Sequence, residues 1–477
     1  MKKFNLKQLI ILMLSFALSF SACDDENNDP KLGLNAELSV SVDGDENDET
    51  NIEFIVTLSE TNNTGSDITF DFNTITTGTA TDSEDYVAIT GATANLTIAD
   101  GESTGTITVI IVQDTEKEET ETVIGQIANP SINGITILTD QATANIEDDD
   151  VYSNGVFITN EGLFGAGNGS VSFYSITDNT LTNNVFNTVN GRVLGDVVQS
   201  ITVHNNVAYI VVNNSNKVEV AKAGTFEEKG VITDVSGPRY FTAVSDEKGY
   251  VSQWGDNGAV KVIDLATLTV TGTITTGTGP ERMIIHNNLV YVTNSGGIAN
   301  NNTVSIIDPS TDQVTKTITL EGDSPRDLIV DANGDIWVLC AGYVDYSNYP
   351  NISETSSKLV RINGTTNEVA ETITIGESYH PTCLETSNDG NNIFYGGGYG
   401  VQGIYKMSIT DTSVPTTPLI DKFFYGFNIN PETGNIFAMD APSFTANGTL
   451  WRYETSGTVL GSYEAGIGPN GAGFKKK

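Results

Sequence analysis

The amino-acid sequence predicts an all-β protein, in which an antiparallel sandwich of residues 34–150 precedes a seven-bladed β-propeller of residues 151–477. Two observations lead to this prediction. Short runs of alternating apolar and polar residues recur after the first thirty residues, and a proline-containing motif repeats in the second region. Alternation with period two is typical of strands that bury one face, and repeats of about 40–50 residues are typical of propeller blades.

The first 22 residues predict a signal peptide, and Cys23 predicts a lipid anchor. Three lysines precede an apolar stretch at residues 9–18, which is shorter than the roughly 20 residues of a membrane-spanning helix. The sequence Phe20-Ser21-Ala22-Cys23 follows and resembles the lipobox of bacterial lipoproteins, in which the cysteine is acylated. An ordinary secretory signal that is cut near Ala22 is the alternative.

Residues 23–33 form a polar, acidic linker that continues after Cys23 with Asp24-Asp25-Glu26. Acidic residues at this place resemble the signal that sends some Gram-negative lipoproteins to the outer face of the outer membrane. We therefore expect a lipid-anchored protein on the cell surface, with the periplasmic face as the alternative. We expect no later segment to span the membrane, because none is long and apolar enough.

Composition limits the possible partners. The chain has 61 acidic and 23 basic residues and a formal net charge of −38. Nucleic acid is excluded as an expected partner, because binding to phosphates requires clustered cations. Besides Cys23 the only cysteines are Cys340 and Cys383, which excludes a disulfide framework and a cysteine-rich zinc site. These two either form one bridge or remain buried thiols.

Motifs in residues 34–150 resemble a Calx-β domain over its whole length. They include Gly78-Thr79-Ala80, Asp85-Tyr86 and Gly101-Glu102, and one departure is Gln113, where that family usually has a further Asp. The resemblance implies calcium as a cofactor, bound at one end of the sandwich by Asp85, Asp114, Glu118, Glu121, Asp148, Asp149 and Asp150. Calcium prefers six to eight oxygen ligands, which carboxylates supply. An acidic, solvated sandwich without an ion is the alternative.

Repeated units open with a proline in residues 151–477. The motifs are Gly237-Pro238-Arg239-Tyr240, Gly279-Pro280-Glu281-Arg282, Ser324-Pro325-Arg326-Asp327 and His380-Pro381-Thr382-Cys383. The prolines are 42, 45 and 56 residues apart, and an insertion at residues 341–356 accounts for the longest interval. We expect Gly468-Pro469-Asn470 to supply the strand that is missing from the first unit, near Gly155, and so to close the ring.

The loops that open the units, and those after each second strand, are expected on one face around the central channel. Aromatic rings, amides and guanidinium groups in these loops suit a large, polar, partly planar ligand. The candidate ligand-binding residues are Asn160, Glu161, Phe164, Asn213, Arg239, Tyr240, Trp254, Arg282, Asn294, Arg326, Tyr343, Tyr399, Tyr425 and Asp440. For the arginines, bracing between blades is the alternative.

Several motifs of residues 151–474 resemble the YncE-like (DUF5074) surface propellers. Among them are Phe157-Ile158-Thr159-Asn160-Glu161-Gly162, Gly195-Asp196-Val197-Val198-Gln199-Ser200 and Ile336-Trp337-Val338-Leu339-Cys340. Proteins with this opening include lipoproteins that capture vitamin B12 at the cell surface and pass it to a TonB-dependent outer-membrane transporter. The resemblance implies that the ligand is a cobalamin or a related corrinoid and that the partner is such a transporter.

Three functions remain open: capture of a large nutrient, calcium-dependent adhesion or surface architecture, and an enzyme of the lactonase or lyase type. The sequence has only three histidines, His204, His286 and His380, and no catalytic Ser-His-Asp arrangement is apparent. We expect the first two at turns on the face opposite the site. The sequence therefore predicts a binding protein for a small-molecule ligand, and not an enzyme.

Overall fold

The computed structural model describes residues 33–46, 50–90, 94–113, 118–148, 151–398 and 400–475. The predicted signal peptide, Cys23 and the linker up to residue 32 lie outside these ranges. The chain divides into two compact units, with the main boundary between Ile146 and Glu147. The described elements are strands, apart from helix α1 (Val185–Asn190) and a 3-10 turn at Asn213–Ser215, which confirms the all-β class. No helix among these residues is both long and apolar enough to cross a membrane.

Among the described residues, nine strands build the sandwich. They are β1 (Asn35–Val42), β2 (Gly44–Asp45), β3 (Ile52–Leu58), β4 (Ile68–Ile75), β5 (Asn95–Ile98), β6 (Thr104–Val109), β7 (Glu121–Ala128), β8 (Thr136–Thr139) and β9 (Gln141–Glu147). One sheet has the order β6-β3-β1-β8 and the other has the order β2-β9-β7-β4-β5. Strands β1 and β8 pair in parallel.

The alternating sequence pattern determines which side chains fill the sandwich core. In β4, Ile68, Phe70 and Phe72 are buried, whereas the residues between them are partly exposed. The ring of Phe72 lies with its centroid 5.3 Å from that of Phe54 in the other sheet. Because successive side chains of a strand point to opposite faces, period two in the sequence becomes one buried face in the structure.

In the described part of the second unit, seven four-stranded sheets, which we call blades, form the propeller. Blade 1 contains β10 (Gly155–Asn160), β11 (Ser170–Ser175), β12 (Thr180–Thr182) and β39 (Pro469–Phe474). Blade 2 contains β13 (Val198–His204), β14 (Val207–Val212), β15 (Lys217–Lys222) and β16 (Glu228–Ile232). Blade 3 contains β17 (Pro238–Ala243), β18 (Lys248–Gln253), β19 (Ala259–Asp264) and β20 (Thr269–Thr275). Blade 4 contains β21 (Pro280–His286), β22 (Leu289–Asn294), β23 (Thr303–Asp308) and β24 (Gln313–Thr319).

The remaining blades continue the same pattern. Blade 5 contains β25 (Pro325–Val330), β26 (Ile336–Cys340), β29 (Ser357–Ile362) and β30 (Val369–Gly376). Blade 6 contains β31 (Cys383–Thr386), β32 (Asn392–Gly396), β33 (Gln402–Ser408) and β34 (Ile420–Phe423). Blade 7 contains β35 (Gly426–Ile429), β36 (Ile436–Asp440), β37 (Asn447–Tyr453) and β38 (Val459–Ile467). The insertion predicted at residues 341–356 lies between the second and third strands of blade 5. It carries a short hairpin of β27 (Val344–Asp345) and β28 (Ser353–Glu354).

The innermost strands of the blades form a closed ring. Strands β13, β17, β21, β25, β31, β35 and β39 contact one another in that order, and β39 contacts β13 again. Strand β39 also pairs with β10, where Ala472 lies opposite Ile158. The prediction that the C-terminal segment completes the first blade is therefore confirmed. One sheet is thus built from both ends of the propeller sequence, which holds the ring closed.

The repeated motif has a backbone cause. The residue before the proline has a left-handed conformation at Gly237, Gly279, Ser324 and Gly468, with φ between 51° and 63°. At Gly279 a Cβ atom would lie 1.9 Å from the backbone nitrogen of Gly297, so no larger residue fits there without a shift of the chain. A left-handed residue before the proline, which is glycine in three of these four cases, therefore marks the entry into these inner strands.

Candidate ligand-binding channel

A cavity of about 710 Å³ lies within the ring of inner strands. Residues from all seven inner strands, or directly before them, line it: Gln199, Arg239, Arg282, Arg326, Cys383, Tyr425 and Asn470. They lie near the N-terminal ends of these strands, so the cavity occupies one end of the central channel. Its volume falls within the roughly 300–1,000 Å³ that is typical of small-molecule sites.

β-Bulges at the strand starts direct consecutive side chains into this cavity. In β17 the register shifts between Pro238 and Phe241, because this strand has one residue more than its partner. Strands β13, β21 and β25 begin with the same kind of shift. An extra residue interrupts the alternation of side chains between the two faces of a strand. Arg239 and Tyr240, which are adjacent in sequence, consequently both line the cavity.

Glu281 connects two of the three channel arginines. Its side chain is buried, with a relative exposure of 2%. The Nε atom of Arg239 donates to Glu281 Oε2 at 3.0 Å, and Nη1 of Arg326 donates to Oε1 at 2.7 Å. These residues come from blades 3, 4 and 5. The arginines therefore do brace the blades, through a carboxylate, and they also line the cavity.

Aromatic rings stack on the same guanidinium groups. The guanidinium carbon of Arg239 lies 4.3 Å from the ring centroid of Trp254, and that of Arg326 lies 5.8 Å from the same ring. The guanidinium carbon of Arg282 lies 4.2 Å from the centroid of Tyr240. Stacking on a ring and ion pairing restrict the rotation of a guanidinium group. The channel thus presents cations whose positions are set before any ligand arrives.

Glu161 supplies a hydrogen-bond acceptor in the same cavity. The hydroxyl of Tyr425 and Nδ2 of Asn470 each donate to its Oε1 at 3.2 Å. Burial raises the pKa of Glu161, while nearby Arg239 and the two hydrogen bonds act in the other direction. The cavity therefore offers both acceptors and donors, as a ligand with several polar groups requires.

Two further carboxyl groups lie in the ring, namely buried Asp327 in blade 5 and half-buried Glu385 in blade 6. The backbone N–H groups of Leu328 and Leu384 donate to Asp327 at 2.9 Å each. Nδ2 of Asn428 donates to Glu385 Oε1 at 2.6 Å. Burial raises the pKa of Asp327. Burial, reinforced by the charge of Asp327, raises the pKa of Glu385 to about 8.

The structure brings together eight of the predicted ligand-binding residues. Those that line the cavity are Glu161, Phe164, Asn213, Arg239, Tyr240, Arg282, Arg326 and Tyr425. Phe164 lies at the rim, where 74% of its surface is exposed. Such a ring at the mouth of a polar cavity is available for stacking against a ligand.

Five other predicted residues lie away from the cavity wall. Asn160 and Asn294 are fully buried, and their amides donate to hydroxyl groups of neighbouring strands. Trp254 supports the arginines from behind, Tyr343 belongs to the insertion in blade 5, and Asp440 pairs with Lys422 at 3.2 Å. The amides of Asn160 and Asn294 and the carboxylate of Asp440 therefore bond within the fold, and the ring of Trp254 stacks on Arg239. Tyr399 lies outside the described residues.

The prediction missed residues that the channel uses. Gln199, Glu281, Cys383 and Asn428 line the cavity, and they were not among the candidates. Glu281 and Cys383 lie one and two residues after the proline that opens a blade. That position was the available signal, since both residues after such a proline can face the channel once a bulge is present.

Two predicted calcium ligands of the sandwich, Asp85 and Glu121, lie close together. One carboxylate oxygen of each lies within 4.8 Å of the other. Asp85 is buried, and Oδ2 of Asp148 accepts a hydrogen bond of 2.8 Å from the backbone of Glu118. The side chain of Gln113 donates to the backbone carbonyl of Glu46. Asp114, Asp149 and Asp150 lie outside the described residues.

The fold and the channel define a class: a β-propeller that is preceded by a β-sandwich. The family model DUF5074, described as a domain of unknown function, matches residues 154–460, and the Calx-beta domain model matches residues 25–150. The chain belongs to the DUF5074 family and carries a Calx-beta domain before its propeller. No match was found among functionally curated proteins.

One solved structure supports the fold. A quinoprotein alcohol dehydrogenase-like protein from Bacteroides thetaiotaomicron is similar with a TM-score of 0.51 and 14% identity, and the match covers 89% of this chain and 94% of that one. The hydrazine synthase of Kuenenia stuttgartiensis has a TM-score of 0.43 and 14% identity over 57% of this chain and 87% of that one. At such low identity the first similarity shows a shared fold alone.

The pKa of Glu385 predicts a specific pH dependence of stability. Between its ordinary value of 4.5 and about 8, the folded state keeps a proton that the unfolded state has lost. The free energy of unfolding therefore falls as the pH rises through that window. We expect Glu385→Gln to flatten the decline of the thermal unfolding midpoint there. Glu432→Gln, at an exposed site, is the control and should follow the wild type; identical slopes for all three proteins would contradict the assignment.

Proposed function

We propose that this chain is a lipid-anchored surface protein that binds a large polar ligand in its propeller channel and delivers it to a TonB-dependent transporter. The observation that carries the proposal is the convergence of all seven inner strands on one cavity. Three guanidinium groups and several aromatic rings meet there in positions that ion pairs and stacking already hold. Preorganised polar groups reduce the ordering cost of binding.

A corrinoid is the ligand class that we test first. The support is the resemblance to vitamin B12-capturing lipoproteins together with the chemistry of the wall. Corrinoids carry peripheral amides, and the cavity offers donors on Arg282 and Arg326 and acceptors on Glu161 and Gln199. An exposed ring, Phe164, lies at the rim. The cavity would accept part of the macrocycle, with the remainder in contact with the rim.

Binding without catalysis is part of the proposal. No histidine is found among the described residues that line the cavity. His380 lies nearby in sequence, but Nδ1 is 2.6 Å from the carbonyl of Ala341 and Nε2 is 2.8 Å from Glu354. Both ring nitrogens are therefore engaged within the fold. A general base needs a free nitrogen within reach of its substrate.

Calorimetric titration with cyanocobalamin tests the ligand. We expect the purified chain to bind cyanocobalamin at micromolar concentrations. Phe164→Ala should weaken binding by about 1 kcal/mol, because a ring that contacts the ligand is lost. Val459→Ala removes a comparably exposed apolar side chain from an outer strand and should have no effect. Absence of both heat and a spectral change in the wild type would refute the corrinoid version.

The lipid anchor has a direct biochemical test. We propose that Cys23 is acylated, on the basis of the signal-like residues before it. Cells that express the wild-type chain should incorporate radiolabelled palmitate into it, and Cys23→Ala should abolish the label. Cys340→Ala, which replaces a buried cysteine, should retain it. Labelling that persists in Cys23→Ala would exclude this anchor.

We also propose that the sandwich binds calcium, with a role as a spacer between membrane and propeller or in adhesion. The carboxylates of Asp85 and Glu121 fit the ion, since their hard oxygen donors lie within 4.8 Å of each other. Their mutual repulsion would be relieved by a cation, so binding and folding should be coupled. Asp85 and Glu121 would hold the ion.

Thermal unfolding with and without calcium tests this site. Calcium should raise the unfolding midpoint of the sandwich by roughly 5 °C relative to a chelator. Asp85→Asn should remove most of that rise, because a buried carboxylate ligand is lost. Glu60→Gln changes an exposed acidic residue of the same domain and should leave it intact. Equal midpoints in calcium and in chelator would remove the calcium proposal.

A further inference from the structure

Arg282 differs from the other channel arginines in its partners. Its guanidinium donates no hydrogen bond to any residue that the structure describes, and the nearest carboxylate oxygen, of Asp327, lies 3.7 Å from its Nε. Its side chain is only 35% exposed. A guanidinium has five N–H donors in one plane. A half-buried guanidinium whose donors are unused can donate several hydrogen bonds to an acceptor group of a ligand.

In Arg239 and Arg326, more of the guanidinium donors are already used within the fold than in Arg282. Both donate to Glu281, and Arg239 also donates to the side chain of Gln199. One carboxylate thus serves two guanidinium groups, and that cluster is held across three blades. Their role is to build the wall, whereas Arg282 makes only a long ion pair, of 3.7 Å, with Asp327.

Asp327 cannot easily move closer to Arg282. Its two oxygens accept hydrogen bonds of 2.9 Å from the backbone of Leu328 in its own strand and of Leu384 in the next blade. These bonds fix the carboxylate between β25 and β31. Tyr240 covers one face of the guanidinium at 4.2 Å, so the N–H groups in its plane remain available at the cavity wall.

The overall charge of the chain does not prevent anion binding at this point. The net charge is −38, but charges are screened beyond a Debye length of about 8 Å at physiological ionic strength. Inside the ring, local pairs therefore decide the outcome. A bidentate contact between a guanidinium and a carboxylate or phosphate is among the stronger polar contacts in proteins.

We propose that Arg282 anchors an oxyanion subsite, and that the ligand of the channel carries a carboxylate or phosphate group that binds there. The subsite rests on the proposed binding function and names one chemical feature of its ligand. The planar fork of Arg282 supplies the hydrogen bonds, and Tyr240 holds the fork in place. Thr382 and Cys383 line the same cavity.

Calorimetry with two simple anions tests the subsite. Inorganic phosphate and succinate are titrated separately into the purified chain at constant ionic strength. Comparison of the two titrations shows whether the subsite prefers a phosphate or a carboxylate. We expect millimolar binding of at least one anion and a loss of about tenfold in Arg282→Gln. Arg282→Lys should be intermediate, because lysine keeps the charge but lacks the fork.

Arg361→Gln is the matched control. Arg361 pairs with Asp335 and Glu371 in blade 5 and does not line the cavity, so its loss removes the same charge elsewhere. Affinity in this variant should stay within about twofold of the wild type. If Arg282→Gln does not fold, which thermal unfolding reveals, Arg282→Lys decides the test. Absence of anion binding to the wild type, or wild-type affinity in the folded Arg282 variant, would overturn the subsite.

The cyanocobalamin titration separates this subsite from the function on which it rests. A chain that binds phosphate or succinate through Arg282 but does not bind cyanocobalamin keeps the subsite and rejects the corrinoid. A chain that binds cyanocobalamin, with an affinity that neither phosphate nor Arg282→Gln changes, keeps the binding function and rejects the subsite. The two failures are therefore distinct.

Discussion

The closed ring of seven inner strands is the constraint on which the channel depends. Each inner strand contributes only a few side chains near its N-terminal end, and no single blade forms a cavity. Because the strands share one axis, groups that lie about 40 residues apart in sequence meet across a few ångströms, as Arg239, Glu281 and Arg326 do. Pairing of β39 with β10 closes this ring, so the channel requires both ends of the propeller sequence.

Buried charge is organised to build the wall as well as to serve a ligand. A buried carboxylate is costly unless it is paired and hydrogen-bonded. Glu281 meets that condition through two arginines of neighbouring blades, and Asp327 meets it through two backbone N–H groups. Such contacts hold side chains that would otherwise lose rotational freedom on binding. The two interpretations of the arginines, ligand contact and bracing, are therefore compatible in this fold.

Parts of the channel could be predicted because they follow from position in a repeat. The proline motifs identified Arg239, Tyr240, Arg282 and Arg326, all of which line the cavity. The same reasoning failed for Asn160 and Asn294, since whether an amide faces a cavity or a serine hydroxyl depends on its neighbours in adjacent strands. It also passed over Glu281, because its role depends on residues of two other blades.

By itself, the sequence determined the all-β class, the propeller repeats and the closing role of its C-terminal segment. These features follow from local rules, namely the period-two alternation, the left-handed residue before proline and the spacing of the motifs. Only the tertiary structure decided which guanidinium groups are paired and which one keeps unused donors. That distinction arises from distances between blades and from bulges that re-aim single side chains, and neither is encoded in a local pattern of residues.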